Sequence, residues 1–265
     1  MSVSLAYPDM THLSVVGCGN MGGALLQGLA HSGDHTLVGC DIDPDARESV
    51  ADYCETTDDL AVAAEADYVV LAVKPDAVGD LLPALDLDSD QTLISIAAGV
   101  SIDYLDALTD AKIVRLMPNL NAETRNMAAA VTGAVDDTVR ALLDEVGEYA
   151  EIDEAEMDLA TAVNGSGPAF VFYLIGAMKS AGVDSGFDDE QAETLAAQTF
   201  KGAAETVLQS EKSIDELIDA VCSPGGTTIE GMELLWDSDV EEEVAAAVHA
   251  AEDRSREMAA AFDDE

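Results

Sequence analysis

The feature that most constrains this chain is a glycine pattern set between a strand and a helix. Leu13-Ser14-Val15-Val16 runs straight into Gly17-Cys18-Gly19-Asn20-Met21-Gly22, after which an apolar helical stretch begins. Alone, such a pattern says little; in this context each glycine has a task. Gly17 permits the tight turn, Gly19 lets a pyrophosphate approach the backbone, and Gly22 lets the helix pack closely on the strand. The helix N-terminus, at Asn20 and Met21, then offers amide donors and a positive dipole end to phosphates. Dinucleotide binding is the reading, with a merely structural turn as the alternative.

The rest of the first half agrees. β-rich runs at 12–16, 36–41, 68–73, 92–96 and 113–116 alternate with helical stretches near 21–31, 46–53, 59–64 and 77–82. Such alternation builds βαβ units on a parallel sheet. A strand–helix–strand set follows across 127–152. Past 153 only helices are expected, near 154–181, 188–209, 213–221, 227–236 and 239–262. The predicted architecture is an α/β, doubly wound, mainly parallel domain at 1–153, followed by an all-α domain at 154–265.

Charge narrows the partners. With 54 acidic against 11 basic residues the formal net charge is −43. That field repels phosphate backbones and argues against nucleic acid or an anionic membrane as a partner. The acids are spread along the whole chain, including its end at Asp263-Asp264-Glu265. Such a distribution suits a very salty cytoplasm, where screening acts within ~3 Å at 1 M. Residues 1–10 lack a basic segment followed by an apolar one, so no signal peptide is read and a cytoplasmic location is expected. The most apolar run, 169–178, is about half a bilayer span and is expected as a buried helix, covered by a subunit partner. Cys18, Cys40, Cys54 and Cys222 have no paired spacing, which suits reduced thiols. His31 and His35 are separated by Gly33 and Asp34, a turn rather than a helical metal-ligand pair.

Other residues carry candidate chemistry. Asp41 ends the second strand, 22 residues after Gly19, where an acid accepts the ribose hydroxyls of NAD and repels a 2′-phosphate. It is otherwise one more surface acid. Val73-Lys74-Pro75 closes another strand, where ligands of open α/β sheets gather; Lys74 contacts a ligand there or pairs with a neighbouring acid. Ser95-Ile96-Ala97-Ala98-Gly99-Val100 ends the next strand in small residues, as close approach by a nicotinamide requires, and Arg115-Leu116-Met117-Pro118-Asn119 does likewise. Asn164-Gly165-Ser166-Gly167-Pro168-Ala169 interrupts an apolar helix at a cost of several (~3 or more) kcal/mol by propensity. Ser223-Pro224-Gly225-Gly226-Thr227-Thr228 opens a helix; its Ser and Thr side chains are expected to cap while first-turn amides accept a small carboxylate. An ordinary capped connection is the alternative.

Taken together these segments resemble the pyrroline-5-carboxylate reductase family over nearly the whole chain. The pieces are Gly17-Cys18-Gly19-Asn20-Met21-Gly22, Ala72-Val73-Lys74-Pro75, 95–100, Met117-Pro118-Asn119, Gly165-Ser166-Gly167-Pro168-Ala169 and 221–235. Asn121 and Met127 depart from the family pattern and point to an altered loop after the strand that ends near Leu116. The resemblance implies a Rossmann domain with a helical dimerisation domain, and hydride transfer from NAD(P)H to a cyclic imine, giving proline. Together with the residue readings above, cofactor contacts are expected at Gly17, Gly19, Asn20, Met21, Gly22, Asp41, Val73, Lys74, Pro75, Ala97 and Asn119, with Asp41 favouring NADH although many members of the family use NADPH. Ser223, Gly225, Gly226, Thr227 and Thr228 match the substrate loop, with Thr228 at the ring nitrogen. The rivals are β-hydroxyacid dehydrogenases, which rely on a helix lysine where this chain has only the later Lys179, the related imine reductases, and a non-catalytic dinucleotide sensor.

Overall fold

The computed structural model describes residues 11–31 and 35–263. The expectations for residues 1–10, the Gly33-Asp34 turn and the Asp264-Glu265 tail lie outside the described residues. The chain divides into two compact units, Met1–Ser166 with His249–Glu265, and Gly167–Val248.

The first unit carries one sheet. Its strands are β1 (Thr11–Val16), β2 (His35–Cys40), β3 (Glu55–Thr57), β4 (Tyr68–Leu71), β5 (Thr92–Ser95), β6 (Lys112–Met117), β7 (Met127–Gly133) and β8 (Gly147–Glu151). They lie in the order β3-β2-β1-β4-β5-β6-β7-β8, and only β6 and β7 pair antiparallel. Strand order reverses between β1 and β4, which makes the ends of those strands the switch point where ligands of such sheets bind. β3 and the helix at 102–106 were not among the expected elements.

Helices α1 (Asn20–Ala30), α2 (Pro44–Val50), α3 (Leu60–Ala63), α4 (Pro75–Leu85), α5 (Ile102–Asp106) and α6 (Asp137–Val146) fill the connections. They form because the apolar residues repeat on one face and short polar residues cap the ends. Asp43, Asp59, Ser101 and Asp136 each accept a first-turn amide. Part of the acid excess therefore serves as helix caps, each worth about 1 kcal/mol. Leu25, Leu26 and Leu29 of α1 pack with Val139, Leu142 and Val146 of α6 on one side of the sheet. Val78, Leu82 and Leu85 of α4 pack with Leu105 on the other. Each fully buried leucine contributes about 1.5–3 kcal/mol.

Strand character ends near residue 153, as the sequence indicates, but the compact unit runs on to Ser166. The reason is packing: in α7 (Met157–Ala160) and the π turn Thr161–Gly165 that follows, Met157 and Ala162 are buried, Met157 against Met117 and Ala130. Pro168, which has no N–H, comes just after this turn, where the helical ladder is already displaced.

The second unit holds α8 (Gly167–Asp184), α9 (Asp189–Gln209), α10 (Ile214–Val221) and α11 (Thr227–Trp236); α12 (Val240–Asp263) starts in it and ends in the first. Asp188 and Ser213 close capping boxes on α9 and α10. Gly186, at φ +114°, ends the α8 turn, and the Phe187 N–H returns to the Gly182 carbonyl at 3.1 Å.

The apolar run at 169–178 is not buried by its own chain, for α8 has no buried residue and Tyr173 is 78% exposed. Nor is it short, because the helical stretch Glu154–Asp184 is long and apolar enough to cross a membrane by length and composition. The other helices of this unit leave α8 without a buried residue, although it is apolar all round.

Candidate functional site

The glycine loop between β1 and α1 has the cradle a dinucleotide needs. Gly17 sits at φ +102°, and a Cβ there would fall 2.4 Å from the Ala72 carbonyl oxygen. A Cβ on Gly22 would fall 1.9 Å from the Gly17 oxygen and 3.0 Å from Val15 Cγ1. At Gly19 a Cβ would meet nothing within 4 Å, so the space above that backbone is open. Gly19 is also the N-cap of α1 and provides no side-chain cap, leaving first-turn amides at Asn20 and Met21 for an anion. These residues fit a pyrophosphate.

Asp41 is tied into the same loop. Its Oδ2 accepts the Cys18 N–H at 2.7 Å and its Oδ1 the Asp43 N–H at 2.9 Å. It is therefore no bare surface acid; it braces the glycine loop from the end of β2. Arg47 donates to the Asp41 carbonyl at 2.6 Å and lies 3.7 Å from Asp58. Burial first, then the Asp41 carboxylate, push the Cys18 thiol up to about 12. Burial likewise raises Cys40 and Cys54, and all four cysteines are free.

A cavity of about 370 Å³ opens at the ends of β4, β5 and β6, lined among others by Met21, Val73, Ile96, Ala98, Met117 and Ser166. Val73 and Met21, expected at the cofactor, thus share one wall. Ala97 turns into the core, 4% exposed, while its neighbours Ile96 and Ala98 face the cavity. Lys74 is the exposed N-cap of α4, with Pro75 as first helical residue, and among the described residues it forms no ion pair. Of its two readings, pairing with a neighbouring acid is not what the structure holds.

Asn119 is 4% exposed and accepts the amides of Asn121 and Ala128 at 3.2 and 3.3 Å, so its side chain shapes the loop after β6. Asn121 uses its N–H in that bond and Met127 is buried at the start of β7. Of the two departures from the family pattern, Asn121 thus sits in a regular 3-10 turn, Leu120–Thr124, closed by Arg125 at φ +56°, and Met127 opens the strand after it. Arg115, 8% exposed, meets Glu154 at 2.7 Å, and the same carboxylate oxygen accepts the Ile102 N–H. Sequence reasoning assigned no role to Thr161, Ser166 or this ion pair; a lone arginine within a buried strand run was the available signal.

In the helical unit the loop before α11 is built differently from expectation. Gly226, not Ser or Thr, is the N-cap, and no side chain caps the helix. The Gly226 N–H bonds the Ser223 carbonyl at 2.9 Å, and Gly225 takes φ +69°. The expected side-chain cap is thus replaced by glycine for a steric reason: this tight turn puts the Ser223 hydroxyl 2.6 Å from where a Gly226 Cβ would stand, so a larger residue is crowded out at the N-cap. Those amides stay uncapped, Thr227 is exposed, and Thr228 is half-buried. Lys179 is engaged by Asp189 at 2.8 Å and Glu193 at 2.6 Å; these bonds, Asp189 first, raise its pKa. A lysine held this way is a poor proton-transfer group, contrary to the dehydrogenase pattern.

Comparison with known proteins covers both units. Residues 154–258 match the family model described as pyrroline-5-carboxylate reductase dimerisation, and residues 12–99 that described as NADP oxidoreductase, coenzyme F420-dependent. The pyrroline-5-carboxylate reductase of Methanosarcina acetivorans is 36% identical over 93% of this chain and 97% of its own. The pyrroline carboxylate reductase of Plasmodium falciparum, solved with NADP bound, superposes with a TM-score of 0.83 at 30% identity, covering 96% of this chain and all (100%) of that one. The reductase of Coxiella burnetii gives 0.84 at 29%, covering 94% and 98%.

Proposed function

The chain belongs to the pyrroline-5-carboxylate reductase family, and from that premise we propose that it reduces 1-pyrroline-5-carboxylate to proline with NAD(P)H in a salty cytoplasm. The observation that carries this reading is the meeting, at the switch point of the sheet, of the uncapped amides of α1 with the cavity beneath Met21 and Val73. When bound, the reduced nicotinamide supplies the hydride. Gly17, Gly19, Asn20, Met21 and Gly22 cradle the pyrophosphate. Asp41, Val73, Lys74 and Pro75 flank the nucleotide, and Ala97 and Asn119 fix the backbone around the nicotinamide end. Asp41 inclines the choice to NADH.

Substrate recognition falls to Ser223, Gly225, Gly226 and Thr227 around the carboxylate, with Thr228 hydrogen-bonding the ring nitrogen. In a protein of net charge −43, amides at a helix N-terminus bind a carboxylate without calling on scarce cations. A cyclic imine protonates readily, and its iminium carbon accepts hydride without a strong protein acid. The residues then contribute mainly proximity and orientation, worth ~7–11 kcal/mol. In the proposed homodimer the substrate loop of one subunit serves the dinucleotide of the other.

The test is an assay in molar KCl with pyrroline-5-carboxylate and either NADH or NADPH, read at the nicotinamide absorbance band. Turnover is expected, faster in kcat/KM with NADH. Turnover with neither overturns the function, and a clear NADPH preference overturns the role given to Asp41.

A further inference from the structure

Both amide protons of the Asn164 side chain are committed to carbonyls of the sheet. Its Nδ2 donates to Met117 O at 2.7 Å and to Ala128 O at 3.1 Å. In return the backbone carbonyl of Asn164 accepts from Asn119 Nδ2 at 3.3 Å. Ala128 is thereby gripped twice, its N–H by Asn119 and its C=O by Asn164. The residue that makes these bonds lies inside the π turn Thr161–Gly165, closed by the Ser166 N–H on Thr161 O at 2.9 Å. A π turn is a strained alternative to continuous α-helix and needs outside support, which two asparagines supply. Gly165, its last residue, and Ser166 just beyond it line the cavity below Met21 and Met117. Among the described residues the Ser166 hydroxyl has no hydrogen-bond partner.

We propose that Asn164 is a positioning residue that locks this turn so that Ser166 presents its free hydroxyl to the nicotinamide carboxamide. The inference rests on the reading that this cavity takes the nicotinamide. It calls for an amide at 164: a carboxylate of the same size has no donor and would face two carbonyl oxygens.

The experiment compares binding of NADH with binding of ADP-ribose, which lacks the nicotinamide, in wild type, Asn164→Asp and Ser166→Ala. ADP-ribose affinity is expected to stay within about twofold in both variants, while NADH affinity and kcat fall about tenfold in Asn164→Asp. Ser166→Ala, which disturbs none of the bonds above, is expected to lose about threefold with an unchanged melting temperature. Equal loss of both ligands, or wild-type ratios, overturns the proposal. Should Asn164→Asp fail to fold, the Ser166→Ala ratio decides alone. Wild type that binds neither ligand overturns the proposed function and this inference with it, whereas a wild type that turns over beside unaffected variants overturns this inference only.

Discussion

In the sheet-bearing unit the chain covers its own apolar residues from both faces, with Val15, Leu26, Leu71, Leu82 and Leu93 almost wholly out of water. Among the described residues of the helical unit, only Ala192 and Ala196 are buried, while Tyr173, Leu234 and Trp236 stand more than half exposed. The two regions are comparably apolar, so hydropathy alone does not separate them. What differs is where the second half of each interface comes from. One unit folds around itself; the other leaves its apolar faces uncovered within the single chain, and residues 154–258 match a dimerisation model.

This contrast can be broken outright by removing salt. At net charge −43, repulsion within and between chains extends from ~3 Å at 1 M to ~30 Å at 0.01 M. Dilute buffer should therefore abolish activity, with helical signal lost before the sheet unit melts, and KCl should restore it; circular dichroism and activity along a salt series check this. Full activity in dilute buffer would sink the reading. A smaller intervention is Phe172→Asp on α8, a position 65% exposed in the single chain. Placing a charge at a covered apolar contact should cost several (~3–5) kcal/mol per interface and lower activity about a hundredfold. Light scattering should then report monomers; an active dimer of this variant would place the interface elsewhere.

Much of the sheet unit was legible in the residues, and for an identifiable reason. A buried parallel strand such as Tyr68–Leu71 is a short unbroken apolar run, and the glycine loop carries its own geometry. β3, Glu55–Thr57, was missed because three polar residues on a sheet edge leave no period to read. The exposure of α8 within one chain agrees with the expectation that a partner covers it, since its sequence is apolar on every side. The cap of α11 was misassigned because serine and threonine outrank glycine as caps on average, while the turn at Gly225 decided otherwise here. The bond from Asp41 to the Cys18 amide joins positions far apart in sequence through the sheet and could only be seen folded.

Two further substitutions sharpen the contrast by separating stability from chemistry. Arg115→Ala leaves Glu154 with the Ile102 N–H but no cation and should cost about 1–3 kcal/mol, read as a fall in melting temperature with substrate KM unchanged. An unshifted melting temperature would show the pair to be idle. Thr228→Ala, in the unit with almost no interior of its own, should do the reverse. It should lower kcat/KM by one to two decades, about 1.4–2.8 kcal/mol, while NADH affinity and melting temperature hold. Wild-type turnover in Thr228→Ala would move substrate recognition out of this loop. Thr227→Ala should do less, since Thr227 makes no cap.

Asp41 also limits how a lineage carrying this chain can change. One carboxylate steadies the glycine loop through the Cys18 amide and the start of the next turn through Asp43. On the proposed reading, a replacement that made room for a 2′-phosphate would in the same step loosen the loop proposed to hold the pyrophosphate. Mutations at 41 are therefore doubly selected, and cofactor preference should drift first at Asp43 or Arg47, whose side chains do not reach the glycine loop's amides. Among descendants of this protein, position 41 should be the last of the three to move.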